Sequence, residues 1–267
     1  MLKRNAHRGP VELSGEVFGV GVTLAASDHK LMDMLSAWLP PGWREGQSGV
    51  NPISLTVVRS GPEEYQVARA GETVGAWPLE DAIRTFEVSL RNHIATSAPA
   101  HIFIHAGTVA RNGRAIVIPG PSFSGKTTLV TALVQAGAMY YSDEYAVLDA
   151  DGLVYPYPKP ISIRTGAPDR RRSNHRASSL GGTVGTGPAP IGLVVCTQYR
   201  TAARWEPQQL TPAQAALELL KCSFQGENRA REALATLGKA VTGVAALKGD
   251  RGDAATVVPD LLARLGP

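Results

Sequence analysis

The sequence predicts an α/β protein in which a phosphate-loop core, residues 99–267, follows an N-terminal α+β lobe, residues 1–98. Three observations predict it. Gly120-Pro121-Ser122-Phe123-Ser124-Gly125-Lys126-Thr127 is a complete phosphate-binding loop, flanked by the buried-strand run Ala115-Ile116-Val117-Ile118 and a helical pattern over residues 128–134. Asn112-Gly113 stands between two apolar runs just upstream, the strongest short hairpin signal, because both central residues of a type I′ turn need positive φ. The first hundred residues read as short strands and two helices, without a constellation that carries chemistry.

Within the lobe, residues 17–24, 53–58 and 65–68 read as strands. Residues 31–39 read as a helix stopped by Pro40-Pro41. Residues 79–95 form a longer helix, with Ala82, Ile83, Phe86, Leu90 and Ile94 on one face. A scaffold, a peptide-binding platform and a homo-oligomer contact are all compatible with such a lobe.

The core begins with the hairpin that feeds the loop. His105, in the run from His101 to Ala110, reads either as a satisfied core histidine or as a catalyst that reaches the loop if its strand bends or pairs over it. The loop itself is specific: composition alone would produce it in roughly one chain in a hundred of this length. Its glycines let successive N–H groups point at phosphates. Lys126 is expected to reach the β- and γ-phosphates, Thr127 to ligate Mg²⁺, and Thr128 to open the helix beside them.

After the helix the chain turns at Gly137, runs through Ala138-Met139-Tyr140-Tyr141 and delivers Ser142-Asp143-Glu144. One helix of about three turns suits a right-handed crossover to a neighbouring parallel strand, which would bring Asp143 out beside the loop. There a carboxylate can hold the metal or accept a proton from a nucleophile. A solvated Asp-Glu turn is the alternative.

Together, His105-Ala106-Gly107, the hairpin, the loop and Ser142-Asp143-Glu144 resemble the catalytic core of HPr serine kinase/phosphorylases. The resemblance is strongest to the diverged HPr-kinase-like branch associated with peptide natural products such as lasso-peptide precursors. It covers about residues 101–165 clearly and element order to roughly residue 240. It implies an ATP- and Mg²⁺-dependent transfer of the γ-phosphate to a hydroxyl, most simply a serine of a peptide or protein acceptor. By the same resemblance Asp143 is the base, Glu144 the metal-side carboxylate and His105 the neighbour that tunes Asp143, with Lys126 stabilising the transferred group. Glu144 stands where the family has a second Asp, and the family's later signature, serving HPr binding and phosphorolysis, has no counterpart here.

Other classes fit less well. No Asn-Lys-x-Asp run reads guanine, and no Leu-Ser-Gly-Gly-Gln marks a transporter ATPase. Small-metabolite kinases share the short spacing from loop to carboxylate, and a nucleotide-binding regulator without transfer activity is the alternative from another class.

Downstream, residues 147–154 read as a hairpin around Asp151-Gly152, leading into the proline-stiffened Tyr155-Pro156-Tyr157-Pro158-Lys159-Pro160. Arg164 reads either as a phosphate fork or as a surface arginine. Arg170, Arg171 and Arg172 read either as a solvated charge run or as a basic flap that steers an acidic acceptor, and a glycine-rich stretch, residues 181–187, follows. Residues 191–197 return as a core strand. Helices are expected from Thr211-Pro212, over residues 229–237 and over residues 257–265, while Arg251-Gly252-Asp253 reads as a loop coincidence.

With 27 basic and 23 acidic residues the net charge is +4, too small and too dispersed to imply nucleic acid. Met1 to Arg8 is charged, no apolar run follows, and no stretch reaches membrane-spanning length, so neither signal peptide nor membrane partner is expected. Cys196 and Cys222 make no disulfide framework, and a reduced, cytoplasmic setting is the expectation.

Overall fold

The computed structural model describes residues 10–164, 172–224 and 229–266, in two units that divide after Ala100. It is a mixed α/β protein. In the first unit β1 (Val11–Val17), β2 (Val20–Ala26), α1 (His29–Ser36), β3 (Arg44–Glu45), β4 (Val50–Arg59), β5 (Tyr65–Arg69), β6 (Glu72–Trp77) and α2 (Leu79–Ser97) follow in order. Their strands form one six-stranded sheet, β3-β1-β2-β4-β5-β6. α2 buries Ala82, Phe86, Leu90 and Ile94, which recur every four residues and so share one stripe. The stretch expected as one strand over residues 17–24 is instead a hairpin. Phe18 and Gly19 turn it with φ of 50° and 80°, and the usual sequence signal is absent because a bulky aromatic rarely adopts positive φ.

The second unit comprises β7 (Ile102–Arg111), β8 (Arg114–Pro119), α3 (Lys126–Gln135), β9 (Met139–Ser142), β10 (Tyr145–Leu148), β11 (Leu153–Tyr155), β12 (Ile161–Arg164), β13 (Arg172–His175), β14 (Ala189–Tyr199), β15 (Gln208–Gln209), α4 (Pro212–Lys221), α5 (Ala230–Ala240), β16 (Ala245–Arg251) and α6 (Ala254–Ala263). The main sheet runs β11-β10-β7-β8-β14-β16-β15, with β9 also on β7. β11 meets the start of β14 as well, so the strand path returns on itself.

Alternation along β8 explains the layering. Ala115 and Val117 face a core shared with α4 and α5, whereas Ile116 and Ile118 face one shared with α3 and α6. Both faces are covered, which is why the strand is continuously apolar in sequence. Asn112 and Gly113 turn β7 into β8 at φ of 53° and 72°. α4 begins with a capping box between Thr211 and Gln214 and has proline in its first turn. α6 starts at Ala254, three residues before the sequence expectation, because Asp253 accepts the Ala255 N–H as its cap.

The expected crossover is corrected in one respect. β8 and β9 both pair antiparallel with β7, from opposite sides, so they are parallel to each other but not neighbours. The glycine-rich stretch is likewise held: Tyr140 donates to Thr183 O at 2.7 Å and accepts from Gly185 N at 3.0 Å. Glycine is needed there, since a Cβ at Gly185 would lie 2.1 Å from the Tyr141 ring.

α3 sits on β7 at Gly107, where a Cβ would come 2.5 Å from Val130 Cγ2, a fully buried side chain. Gly107→Ala is therefore expected to destabilise the protein by about 1–3 kcal/mol through overpacking. A urea transition measures it, with a lowered midpoint at constant slope as the expected result. An unchanged midpoint would mean that the helix does not depend on this close seat.

Candidate phosphate-loop site

Between β8 and α3 the chain makes the loop that the sequence foretells, and local physics explains its residue types. Gly125, at the N-terminus of α3, has φ of 89° and no room for a Cβ, which would fall 2.6 Å from Arg251 Nη2. A Cβ at Gly120 would lie 2.9 Å from Ser124 Oγ. Phe123 takes φ of 71° at the exposed crest of the loop. α3 has neither a side-chain cap nor an acidic residue in its first turn. Its N-terminal dipole and N–H groups are thus available to an anion.

Lys126 is buried, and its Nζ donates to the carbonyls of Gly120 and Pro121 at 2.7 and 2.8 Å. Burial holds its pKa below the usual lysine range, while Glu144, the Cys222 thiol and Asp143 pull the other way. The Cys222 thiol is itself pushed up, by burial first, against the opposing charge of Lys126. Neither Cys196 nor Cys222 forms a disulfide.

The carboxylates arrive from the other side of β7. Ser142 Oγ accepts the N–H groups of Glu144 and Tyr145 at 3.1 and 2.9 Å, a local turn that presents the two residues between β9 and β10. Asp143, buried, accepts from the Thr127 hydroxyl (3.2 Å, Oδ2). Tyr140 Oη lies 3.0 Å from both Asp143 Oδ1 and Lys159 O, sharing one proton between them, and accepts the Asp143 N–H at 3.2 Å. Burial, then the Asp143 charge, raises the Tyr140 pKa, so it stays a donor. Lys159 Nζ stands 3.4 Å from Asp143 Oδ1 and 3.7 Å from Glu144 Oε2.

His105 is brought in by register rather than by a bend. β7 pairs with β8 at Ala106↔Pro119 and with β10 at His105↔Tyr145, and the His105 carbonyl accepts from Gly120 N at 3.4 Å. Its Nε2 comes 3.9 Å from Glu144 Oε1, and its ring meets Phe224 edge-on. The sequence expectation put His105 beside Asp143; the ion-pair geometry puts it beside Glu144.

Lys126, Thr127, Asp143, Glu144 and His105 are thus brought to one place, with Glu144 and not Asp143 beside His105. The basic segment is different: Arg170 and Arg171 lie outside the described residues, and Arg164 and Arg172 are paired by backbone at the open end of the β12–β13 hairpin. Lys159 and Arg251 escaped the sequence reading. Lys159 sits between Pro158 and Pro160, a rigid frame whose only polar side chain signals placement. Arg251, read as part of a loop coincidence, ends β16 fully buried under the phosphate loop. Its Nη2 donates to Gly125 O at 2.7 Å and Nη1 to Gly252 O at 3.0 Å, and the guanidinium lies over the Tyr199 ring. Tyr199 N donates to Ser124 O at 3.1 Å, so the ends of two adjacent parallel strands grip the loop.

No family model matches the chain, and no curated protein matches it in sequence. Among the described residues no helix is long and apolar enough to cross a membrane, and no group of three or more His, Cys, Asp or Glu side chains is arranged to hold a metal by itself.

Arg251→Met frees the Gly125 carbonyl from a charged donor, a bond worth about 1.5–3 kcal/mol. Amide hydrogen exchange across residues 120–127 is then expected to speed up roughly ten- to a hundredfold, with β7 little changed. Unaltered exchange in the loop would show that the guanidinium does not restrain it.

Proposed function

We propose that this protein is an ATP- and Mg²⁺-dependent kinase that transfers the γ-phosphoryl group to a hydroxyl, with a serine of a peptide or protein as acceptor. The family behind the proposal is the HPr-kinase-like branch, on the resemblance of the His105, phosphate-loop and Asp143-Glu144 motifs. The observation that carries it is the meeting of Thr127 with Asp143 at the mouth of the phosphate loop. A threonine hydroxyl that donates its one proton to a carboxylate keeps its lone pairs for a cation. Mg²⁺ suits such a partial set of oxygens, because it keeps several waters and borrows phosphate oxygens rather than needing a full protein cage.

Phosphoryl transfer asks for positioning and charge stabilisation more than for covalent chemistry. The loop amides, the N-terminus of α3 and Lys126 supply them for the triphosphate, Lys126 by exchanging its two carbonyl partners for phosphate oxygens. Thr127 and Asp143 would hold the cation, which offsets charge on the β- and γ-phosphates when bound. The acceptor hydroxyl loses its proton to a carboxylate as its oxygen attacks the γ-phosphorus, and the bond to the β–γ bridging oxygen breaks to release ADP.

The distances favour a division of labour opposite to the one the resemblance implies. Asp143 is the carboxylate on Thr127 and is tied down by Tyr140, which suits the metal side. Glu144 is more exposed and has His105 at 3.9 Å, which suits proton acceptance with His105 positioning it. An acidic acceptor steered by Arg170, Arg171 and Arg172 remains part of the proposal.

Lys126→Ala is expected to abolish transfer and weaken ATP binding, by the order of several kcal/mol of transition-state stabilisation. Glu144→Gln is expected to leave ATP binding intact and to lose turnover about 100-fold or more, whereas Asp143→Asn should raise the Mg²⁺ concentration needed for transfer. Calorimetric ATP titration and phosphate transfer to serine-containing acidic peptides, each across a Mg²⁺ series, separate these effects. Rescue of Glu144→Gln but not Asp143→Asn by Mg²⁺ would return the roles to those implied by the resemblance. ATP binding without transfer to any hydroxyl acceptor would leave a nucleotide-binding regulator.

A further inference from the structure

Among the described residues, Lys159 is a cation that faces both carboxylates while serving no part of the phosphate loop. Its Nζ straddles Asp143 and Glu144 at 3.4 and 3.7 Å, longer than the 2.7–2.9 Å or so of a tight charge-assisted hydrogen bond. An ammonium locked onto one partner would sit closer to it; this one stands between two. All three side chains are withdrawn from solvent, with 17 % of the Lys159, 3 % of the Asp143 and 24 % of the Glu144 side chain exposed, so the pair's mutual repulsion is poorly screened.

The backbone that delivers Lys159 is fixed. Pro156, Pro158 and Pro160 restrict it, Tyr157 N donates to Tyr141 O at 3.0 Å, and the Lys159 carbonyl shares the Tyr140 hydroxyl with Asp143. The main chain is therefore anchored to the same tyrosine that anchors the carboxylate. What remains mobile is the four-carbon stem, which lets an ammonium move by several bonds' length at low cost.

We propose that Lys159 is a built-in counter-ion of the carboxylate pair: without nucleotide its ammonium stands against Asp143, the carboxylate that would hold a divalent cation with nucleotide, and once displaced it turns to the transferred phosphoryl group. The inference deepens the kinase reading and rests on it for the second half only. Without nucleotide, the ammonium and a divalent ion compete for the Asp143 carboxylate. That competition gives the site an order of events, since the divalent ion displaces Lys159 most readily when triphosphate oxygens arrive to add ligands to the ion and a new anion for the ammonium.

The test is Mn²⁺ binding to the full-length, nucleotide-free protein, read by the electron paramagnetic resonance signal of free Mn²⁺. Lys159→Met is expected to bind Mn²⁺ about tenfold more tightly than the wild type, because a competing charge has gone, and adding Asp143→Asn should erase the gain. Lys159→Gln serves as a second neutral variant if the methionine protein does not fold. In transfer assays Lys159→Met should lower kcat while leaving KM for ATP nearly unchanged. Mn²⁺ affinity that is unchanged or weaker in both variants would overturn the proposal, even in an active kinase. A Mn²⁺ gain in a protein that transfers no phosphate would instead leave the counter-ion standing and remove the kinase reading.

Discussion

The double pairing of β7 is the constraint on which the site depends. One edge of the strand carries β8, which ends in the phosphate loop, and the other carries β9 and β10, with the two carboxylates between them. Asp143 and Glu144 fall between the pairs Thr108↔Ser142 and His105↔Tyr145, abreast of Gly107 and Ala106, and Ala106 N donates to Glu144 O at 3.1 Å. On the opposite edge the same two residues of β7 face Ile118 and Pro119. Three short motifs scattered over some forty residues are therefore adjacent rungs of one ladder. Adjacent strands lie about 4.8 Å apart, so the loop and the carboxylates are held roughly 10 Å apart at their backbones, a gap that Thr127 and Asp143 close with their side chains.

The same register gives His105-Ala106-Gly107 a physical meaning. Gly107 is small because α3 descends onto it, Ala106 is buried between two strands, and His105 is the first position whose side chain clears the packed region to meet Glu144. The loop glycines are constrained in the same way. Gly125 leaves room for the Arg251 guanidinium, and Gly120 for the Ser124 hydroxyl. Their absence of side chains serves the protein's own packing, so the motif is specified by the fold even before any ligand is considered.

What the sequence made legible was local. The strand, loop and helix around Lys126, the Asn112-Gly113 turn and the Thr211-Pro212 cap are each decided by residues within a few positions of one another, and each stands as read. What it concealed was set by long-range pairing. No local pattern says that β7 lies between β8 and β9, since a right-handed crossover over one strand and over none look alike in sequence. Arg251 lies more than a hundred residues from the loop it grips, and Lys159 is a lone lysine among prolines until Tyr140 ties it to Asp143. The Phe18-Gly19 turn was hidden for the opposite reason, because local preference disfavours an aromatic at positive φ and tertiary context overrode it.

Charge balance links these pieces. Among the described residues Lys126 and Lys159 offset Asp143 and Glu144, so these four side chains are close to neutral together, and the burial of Lys126 and Asp143 is tolerable only because each is hydrogen-bonded. On the kinase reading, a magnesium triphosphate would bring a net negative charge into that neutral setting. The four side chains cannot absorb it by rearranging among themselves, since every cation freed from a carboxylate leaves that carboxylate to be paired. The compensation has to come from dipoles and from charge held outside the quartet. The uncapped N-terminus of α3 and the loop amides would supply the first, and Arg251, fixed against Gly125 O beneath the loop, the second. On that reading Arg251 would be more than a strut: its charge lies beneath the loop, held by Gly125 O and Gly252 O rather than by the carboxylates, and would favour an anion there.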